Sequence, residues 1–369
     1  MDINNYFKSC LEKMIEQKGQ DIFFKVGVGP RIRVGGQLVA VEAPCLSNEQ
    51  MHLLIRELIT PQQMTFLEKS RNVDFGFTFK EKGCRFRGNA FYQQGFLSVV
   101  LRLLWKGIPD FDELKLPPIL KKVALERSGI ILVAGTVSSG KSTTVAAMVN
   151  AMNQNVSKHI VMLEDPVEFI HEDQKSLIQQ REVGQDTESF SEALKYVVRQ
   201  SPDAVVIGEM RDAESFSFAL SAAEVGRLVI STIHAQSVTQ VFDRVLGFFR
   251  RENEREAILH HFAANVTCIA VQKLLVGTDG KSLVPAVEVL LGSYIVRQLI
   301  GEKKLDKLPQ ALRNGAREGM QTMEQSILQL WNAKLISREV ALAASPLPQE
   351  LEALMKGIHI GQSTKILGE

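Results

Sequence analysis

The sequence predicts an α/β protein in two parts, a small α+β region followed by a mostly parallel, doubly wound sheet. Three observations predict it. Residues 73–79 and 84–104 alternate apolar and polar side chains, as half-buried strands do. Beyond residue 130, short β-rich runs at 130–134, 160–163, 204–208 and 228–232 are separated in places by helical stretches at 142–152, 189–199 and 213–225. That alternation is the pattern of strands joined by crossover helices. Between the first of these runs and the first of these helices lies a glycine-bearing loop, Gly135-Thr136-Val137-Ser138-Ser139-Gly140-Lys141-Ser142-Thr143.

Each element has a local cause. Residues 4–18 read as a first helix and 21–26 as a strand, punctuated by Gly27 and Gly29-Pro30. The runs 31–34 and 37–41 flank Gly35-Gly36, a strong hairpin signal. Ser47 caps a helical stretch at 48–59, and Thr60-Pro61 starts another helix. The stretch 107–118 carries three prolines and reads as a linker. It divides the chain into an N-terminal domain at 1–106, a second domain at 119–357 and a tail at 358–369, of which 361–369 reads as disordered. Residues 252–261 and much of 293–354 read as helical, and no internal repeat or low-complexity segment stands out.

Composition excludes several classes. The chain has 369 residues, 45% hydrophobic and 23% charged, ordinary for a globular protein of two or three domains. A net charge of +1 gives no reason to expect a general nucleic-acid binder. The four cysteines, Cys10, Cys45, Cys84 and Cys268, are scattered with no C-x-x-C pair, which argues against a zinc site or a disulfide framework and points to the cytoplasm. The first 19 residues lack the apolar core of a signal peptide, and no apolar run is long enough to span a bilayer. Any association with a membrane would go through a partner protein.

The glycine loop fits G-x-x-x-x-G-K-[ST], the phosphate-binding P-loop, and its strand–loop–helix context is the one the chemistry needs. Backbone N–H groups and the positive end of a helix point at phosphate oxygens. Lys141 would reach the β- and γ-phosphates, and the Ser142 hydroxyl would ligate Mg²⁺. Ligands of open α/β sheets bind at the carboxyl ends of strands. Three other strands end there in polar residues: one in Glu164-Asp165-Pro166 with Glu168 behind, one in Gly208-Glu209 followed by Arg211-Asp212, and one in His234. Phosphoryl transfer to water needs a phosphate cradle, a metal and a group that orients the water. Glu209 is the choice for that last role, against a reading as a surface carboxylate. Glu164 and Asp165 would hold metal-bound waters or, alternatively, cap the loop before Pro166. His234 would sense the γ-phosphate or serve as a satisfied structural histidine.

At this point the residues resemble a known family. The block Arg199-Gln200-Ser201-Pro202-Asp203-Ala204-Val205-Val206-Ile207-Gly208-Glu209-Met210-Arg211-Asp212 looks like the Walker B block of secretion-type ATPases. Leu163-Glu164-Asp165-Pro166-Val167-Glu168-Phe169 is similar to their Asp box, and the segment from Gly226-Arg227 to His234-Ala235 to their His box. Gln180-Arg181-Glu182-Val183-Gly184 and Gly319-Met320-Gln321-Thr322 resemble the type IV pilus retraction ATPases of the PilT/PilU branch. The late segment Ile336-Ser337-Arg338-Glu339-Val340-Ala341-Leu342 followed by Ser345-Pro346 is closer to PilU than to PilT. The resemblance covers roughly residues 15 to 355.

The resemblance implies a PAS-like N-terminal α+β domain and a C-terminal RecA-like P-loop ATPase domain, assembled as a homo-hexamer with ATP between the two domains. It implies arginines of the N-terminal domain reaching the γ-phosphate, and Arg85, Arg87 and Arg102 lie where the family carries them. Such arginines stabilise transition-state charge; alternatively they decorate a strand's solvent face. Two positions depart from the family. Thr136, Val137 and Ser138 stand where Pro, Thr and Gly are usual, and Arg227 replaces the first His-box histidine. If position 138 needs a positive φ, a serine there is strained.

The implied function is an ATPase that uses ATP and Mg²⁺ to drive pilus retraction, or twitching motility, from the cytoplasmic side of the inner membrane. Its implied partners are a PilT-like motor and an inner-membrane platform protein. The departures keep open an ATP-binding accessory subunit that scarcely hydrolyses. A pilus-assembly or type II secretion ATPase fits less well without the cysteine-rich zinc module those relatives often carry. A small-molecule kinase would need an acceptor pocket for which the sequence has no signature.

Overall fold

The structure, a computed structural model, describes residues 2–104 and 107–357; the expected tail and residues 105–106 lie outside the described residues. The chain divides into two compact units. The first contains Met1–Ile108 together with Leu163–His171 and Gln180–Ala193, and the second contains the rest.

The first unit begins with α1 (Ile3–Glu16), β1 (Asp21–Lys25), β2 (Val28–Val34) and β3 (Gln37–Ala40). It continues with α2 (Asn48–Leu58), α3 (Pro61–Ser70), β4 (Asn72–Phe79), β5 (Cys84–Gln93) and β6 (Phe96–Leu104). The strands form one sheet in the order β3-β2-β1-β6-β5-β4. The expected Gly35-Gly36 turn is present, both glycines with positive φ. The helix starts expected at Ser47 and Thr60 are present, and each of these residues builds a capping box there. The span 84–104, read as continuous alternation, is broken by a second hairpin turn at Gln94 and Gly95, with φ of 51° and 83°. One face of the sheet, with Ile22, Phe24, Phe75, Phe86 and Leu101, packs against Phe7, Leu11 and Met14 of α1 and Met51 and Ile55 of α2. Gly88 is required there: a Cβ would sit 2.3 Å from the ring of Phe75, its cross-strand neighbour.

After the first sheet come α4 (Phe111–Leu114), α5 (Pro118–Ala124), β7 (Gly129–Ala134), α6 (Lys141–Asn155) and β8 (His159–Glu164). They are followed by β9 (Leu177–Glu182), α7 (Phe190–Val197), β10 (Ala204–Ile207), α8 (Ala213–Glu224), β11 (Leu228–Ile233), α9 (Val238–Gly247) and α10 (Glu252–Asn265). The last elements are β12 (Val266–Val276), β13 (Leu283–Leu291), α11 (Tyr294–Gly301), α12 (Leu308–Asn314), α13 (Met323–Asn332), α14 (Arg338–Ala344) and α15 (Pro348–Met355). The stretch read as a linker holds the short helix α4, and its Phe111 and Leu116 are buried in the second unit's core.

The larger sheet runs β13-β12-β7-β11-β10-β8-β9. The neighbours β12, β7, β11 and β10 are parallel, and β13 is antiparallel to β12. Every residue of β7 and β11 is buried, which is why neither strand alternates apolar and polar side chains. Ile131 and Val133 pack with Leu120 and Val123 of α5 and Met148 and Val149 of α6. Phe216 of α8 and Phe242 of α9 both pack their rings on Phe262 of α10. Strands β9, β12 and β13 are not expected from the sequence pattern. A long apolar run such as 266–276 shows no period that separates a buried strand from a buried helix. Among the described residues no helix is long and apolar enough to cross a membrane.

Candidate functional site

The carboxyl edge of the second unit's parallel strands gathers three of the predicted groups. Strand β7 ends at Ala134 and leads into the glycine loop; β11 runs beside it, Ile233 opposite Ala134, and leads into His234. On the other side of β11, Ile207 of β10 lies opposite Ser231. Side chains of β11 extend that pairing past the end of β10. The Ser231 hydroxyl donates to the Ile207 carbonyl (2.7 Å), the Thr232 hydroxyl to the Gly208 carbonyl (2.6 Å), and Met210 N–H to the Thr232 carbonyl (2.9 Å). This holds Glu209 beside His234. Its Oε1 is 3.1 Å from His234 Nε2, and its Oε2 accepts from Arg211 Nε at 2.8 Å. The carboxylate lies between an imidazole and a donating guanidinium and remains partly exposed, with acceptor capacity left for a water.

The glycine loop is shaped for a ligand's oxygens. Thr136, Val137 and Ser138 are exposed, while Ser139 and Lys141 are buried. A Cβ on Gly135 would lie 2.3 Å from Ser139 Oγ and 2.6 Å from the Gln272 carbonyl oxygen. Gly140, at φ 85°, is the N-cap of α6 and provides no side-chain cap, so the helix start is left open to an anion. The Ser139 hydroxyl is buried with no hydrogen-bond partner among the described residues. Lys141 Nζ donates to the carbonyls of Gly135 (3.0 Å) and Thr136 (2.7 Å), folded over the loop it belongs to. Ser142 and Thr143 open the first turn of α6, with Ser142 exposed. These residues fit a nucleotide's phosphates: a lysine, an open helix start and an unpartnered hydroxyl share one short loop. Position 138 does adopt positive φ, at 62°, so the serine there carries the strain a glycine would avoid.

Glu164, Asp165 and Glu168, expected along the P-loop edge, are grouped with the first unit. Burial pushes the Glu164 carboxyl up to about 7, against the effect of the hydrogen bond it accepts from Gln180 Nε2 at 2.9 Å. Gln180 also donates to the Phe169 carbonyl and accepts from His171 N–H, so one amide braces the whole acidic loop. Both ring nitrogens of His171 are buried without a partner among the described residues, and burial lowers its pKa to about 4.

The three arginines separate. Arg85 is held by Glu182 in a buried ion pair, and it donates to the Val167 carbonyl (2.7 Å) and Thr78 Oγ1 (2.8 Å). Glu182 also accepts from Gly76 N–H (3.0 Å) and Val167 N–H (3.1 Å). A Cβ on Gly76 would strike both partners of the pair. Arg87 and Arg102 lie directly opposite each other on β5 and β6, both exposed. Arg102 Nε donates to Asp21 Oδ1 (2.7 Å), whose other oxygen accepts from Arg33 (3.0 Å). Arg227 precedes β11 and so lies at the amino edge of the sheet, about 20 Å of strand away from His234.

Sequence reasoning missed Gln272, Glu182 and Asp21. Gln272 carries a signal in retrospect: it is a polar residue inside a strand that is otherwise largely apolar, and it is only 3% exposed.

Comparison with known proteins identifies the family. The family model described as "Type II/IV secretion system protein" matches residues 2–327. The type IV pilus ATPase PilU of Pseudomonas aeruginosa is 36% identical over 350 residues, covering 95% of this chain and 91% of that protein. The type IV pilus retraction ATPase PilT of the same organism is 36% identical over 334 residues, covering 90% of this chain and 96% of that protein. A crystal structure of the pilus retraction motor PilT with bound ADP superposes with a TM-score of 0.85 at 35% identity, over 94% of this chain and 98% of that one. The chain belongs to the type II/IV secretion system protein family, among relatives that include the pilus ATPases PilU and PilT.

Proposed function

We propose that this chain is an ATPase of the type IV pilus retraction machinery, PilU-like, working as a hexameric ring at the cytoplasmic face of the inner membrane. Its partners are a PilT-like motor and a membrane platform protein. The division into a PAS-like first unit and a RecA-like second unit belongs to the same reading. The observation that carries it is the P-loop at the carboxyl edge of a parallel sheet, with Glu209 and His234 on the neighbouring strands. Similarity to PilU and to ADP-bound PilT supports the nucleotide and the process.

Gly135, Thr136, Val137, Ser138, Ser139, Gly140 and Thr143 supply the phosphate cradle, Lys141 the cation and Ser142 the hydroxyl toward Mg²⁺. Bound Mg²⁺ supplies charge neutralisation at the phosphates; it usually takes few protein ligands beside phosphate oxygens and water. Among the described residues no cluster of three or more His, Cys, Asp or Glu could hold a metal by itself. Glu209 orients the attacking water, and His234 and Arg211 keep its carboxylate in place. Glu164 and Asp165 act on metal-bound water. The exposed Arg87 and Arg102, the latter also paired with Asp21, remain the arginines suited to phosphate, whereas the burial of Arg85 against Glu182 favours a scaffolding role.

The left-handed Ser138 favours a second reading, an accessory subunit that binds ATP and scarcely turns it over. Steady-state ATP hydrolysis over a range of protein concentrations, beside Glu209→Gln, tests both. A motor shows turnover that rises with assembly and falls at least roughly hundred-fold in the variant. A folded, nucleotide-binding wild type without turnover selects the accessory subunit, and Glu209→Gln turnover equal to wild type removes Glu209 from its role.

A further inference from the structure

Gln272 joins the core strand β12 to the phosphate loop through a side chain that is 3% exposed. Its Nε2 donates to the Ser139 carbonyl at 2.8 Å, and its Oε1 accepts from the Thr144 hydroxyl at 2.7 Å. The amide has one possible orientation here. A backbone carbonyl only accepts, so the NH₂ must face Ser139, and the oxygen is left for Thr144. Thr144 lies in the first turn of α6, and its N–H donates to the Gly140 carbonyl at 3.0 Å. One buried amide therefore ties together the loop and the start of the helix.

The same side chain accounts for Gly140. A Cβ there would lie 2.8 Å from Gln272 Nε2, so the amide approaches the loop as closely as a glycine permits. The consequence for a ligand follows from peptide planarity. The Ser139 carbonyl and the Gly140 N–H belong to one trans peptide unit and point in opposite directions. Drawing the carbonyl inward toward β12 turns the Gly140 N–H outward, to the open side of the loop.

We propose that Gln272 is a positioning residue: it presets the Ser139–Gly140 peptide so that its N–H is aimed at a phosphate oxygen of a bound nucleoside di- or triphosphate. The proposal rests on the reading of this loop as a nucleotide site. An N–H aimed in advance binds ground state and transition state alike, so its loss raises KM and Kd and leaves kcat largely unchanged.

The test is the affinity of the full-length protein for a fluorescent ADP analogue, measured for wild type, Gln272→Met and Gln272→Glu, with KM and kcat for ATP alongside. Gln272→Met keeps the volume and removes both hydrogen bonds, and it should weaken binding roughly ten-fold. Gln272→Glu carries a readout that a merely structural role would not move. Its carboxylate cannot donate to the Ser139 carbonyl, but its protonated form can, and burial raises a carboxyl's pKa. Relative to wild type at each pH, its affinity should recover as pH falls from about 8.5 to about 6.

If Gln272→Met does not fold, the pH ratio of Gln272→Glu carries the test. Wild-type affinity in a folded Gln272→Met, or a pH-independent ratio for Gln272→Glu, overturns the proposal alone. A wild type that binds no nucleotide overturns the reading of the loop and this proposal with it.

Discussion

The P-loop edge of the second unit and the Arg85–Glu182 cluster of the first are both polar, and they differ in what their hydrogen-bonding groups are doing. At the loop, the Ser139 hydroxyl has no partner among the described residues, the helix start has no side-chain cap, and Ser138 holds a conformation unfavourable to serine. In the cluster, Glu182 receives a guanidinium and two backbone N–H groups, and Arg85 donates to three different oxygens. On the proposed function, the loop must accept a ligand, and such a region leaves capacity unused and tolerates strain. A region that holds a fold leaves little. Residue type alone does not tell the two apart, since an arginine paired with a glutamate occurs in both.

Four variants would break or sharpen this contrast. The largest effect is expected in the cluster. Glu182→Ala leaves the Arg85 guanidinium and the N–H groups of Gly76 and Val167 without their acceptor, in surroundings where Arg85 is 14% exposed. Loss of one partner from such a pair costs about 4 kcal/mol of stability. Denaturant unfolding checks it, and a loss under about 1 kcal/mol would show the cluster to be no more than a surface pair.

The next effect concerns acid. His171 is buried, and its folded pKa, about 4, is lower than the usual 6.5. Between those values the unfolded chain binds more protons, so stability is lost as pH falls through that window. At the lower end the penalty is about 3 kcal/mol. His171→Leu removes it. The difference in urea midpoint between variant and wild type should widen steadily from pH 6.5 toward pH 4, and a constant difference would show that the ring is already paired.

The smallest effect tests the strain at the loop. Ser138→Gly relieves about 1 kcal/mol of left-handed strain, partly offset by the backbone freedom of glycine in the unfolded chain. A gain of roughly 0.5 kcal/mol is expected by thermal melting, with a rise in turnover of no more than about five-fold. Arg227→His, at the opposite edge of the sheet, should leave turnover of the isolated protein unchanged; a larger response there than at Ser138 would reverse the ranking.

Much of this was legible beforehand because it is local. The helix starts at Ser47 and Thr60, the Gly35-Gly36 hairpin and the strand–loop–helix of the P-loop each depend on residues a few positions apart. Glu209 and His234 were legible as strand ends because the parallel sheet puts all such ends on one edge. The second hairpin at Gln94 was hidden by alternation that continues through it. Strands β12 and β13 were hidden because burial on both faces erases the period that marks a strand.

By itself the sequence determined that the P-loop, Glu209 and His234 would gather at one edge of the sheet, since phosphate-loop spacing and strand order along the chain carry that information. Only the tertiary structure decided which polar residues are engaged with one another. Arg85 with Glu182 is a pairing across 97 positions, and Gln272 with Ser139 one across 133. Hydrogen bonds act over about 3 Å of space and are indifferent to distance along the chain. Which of the similar arginines and amides are paired, and with what, was therefore decided only when the chain closed on itself.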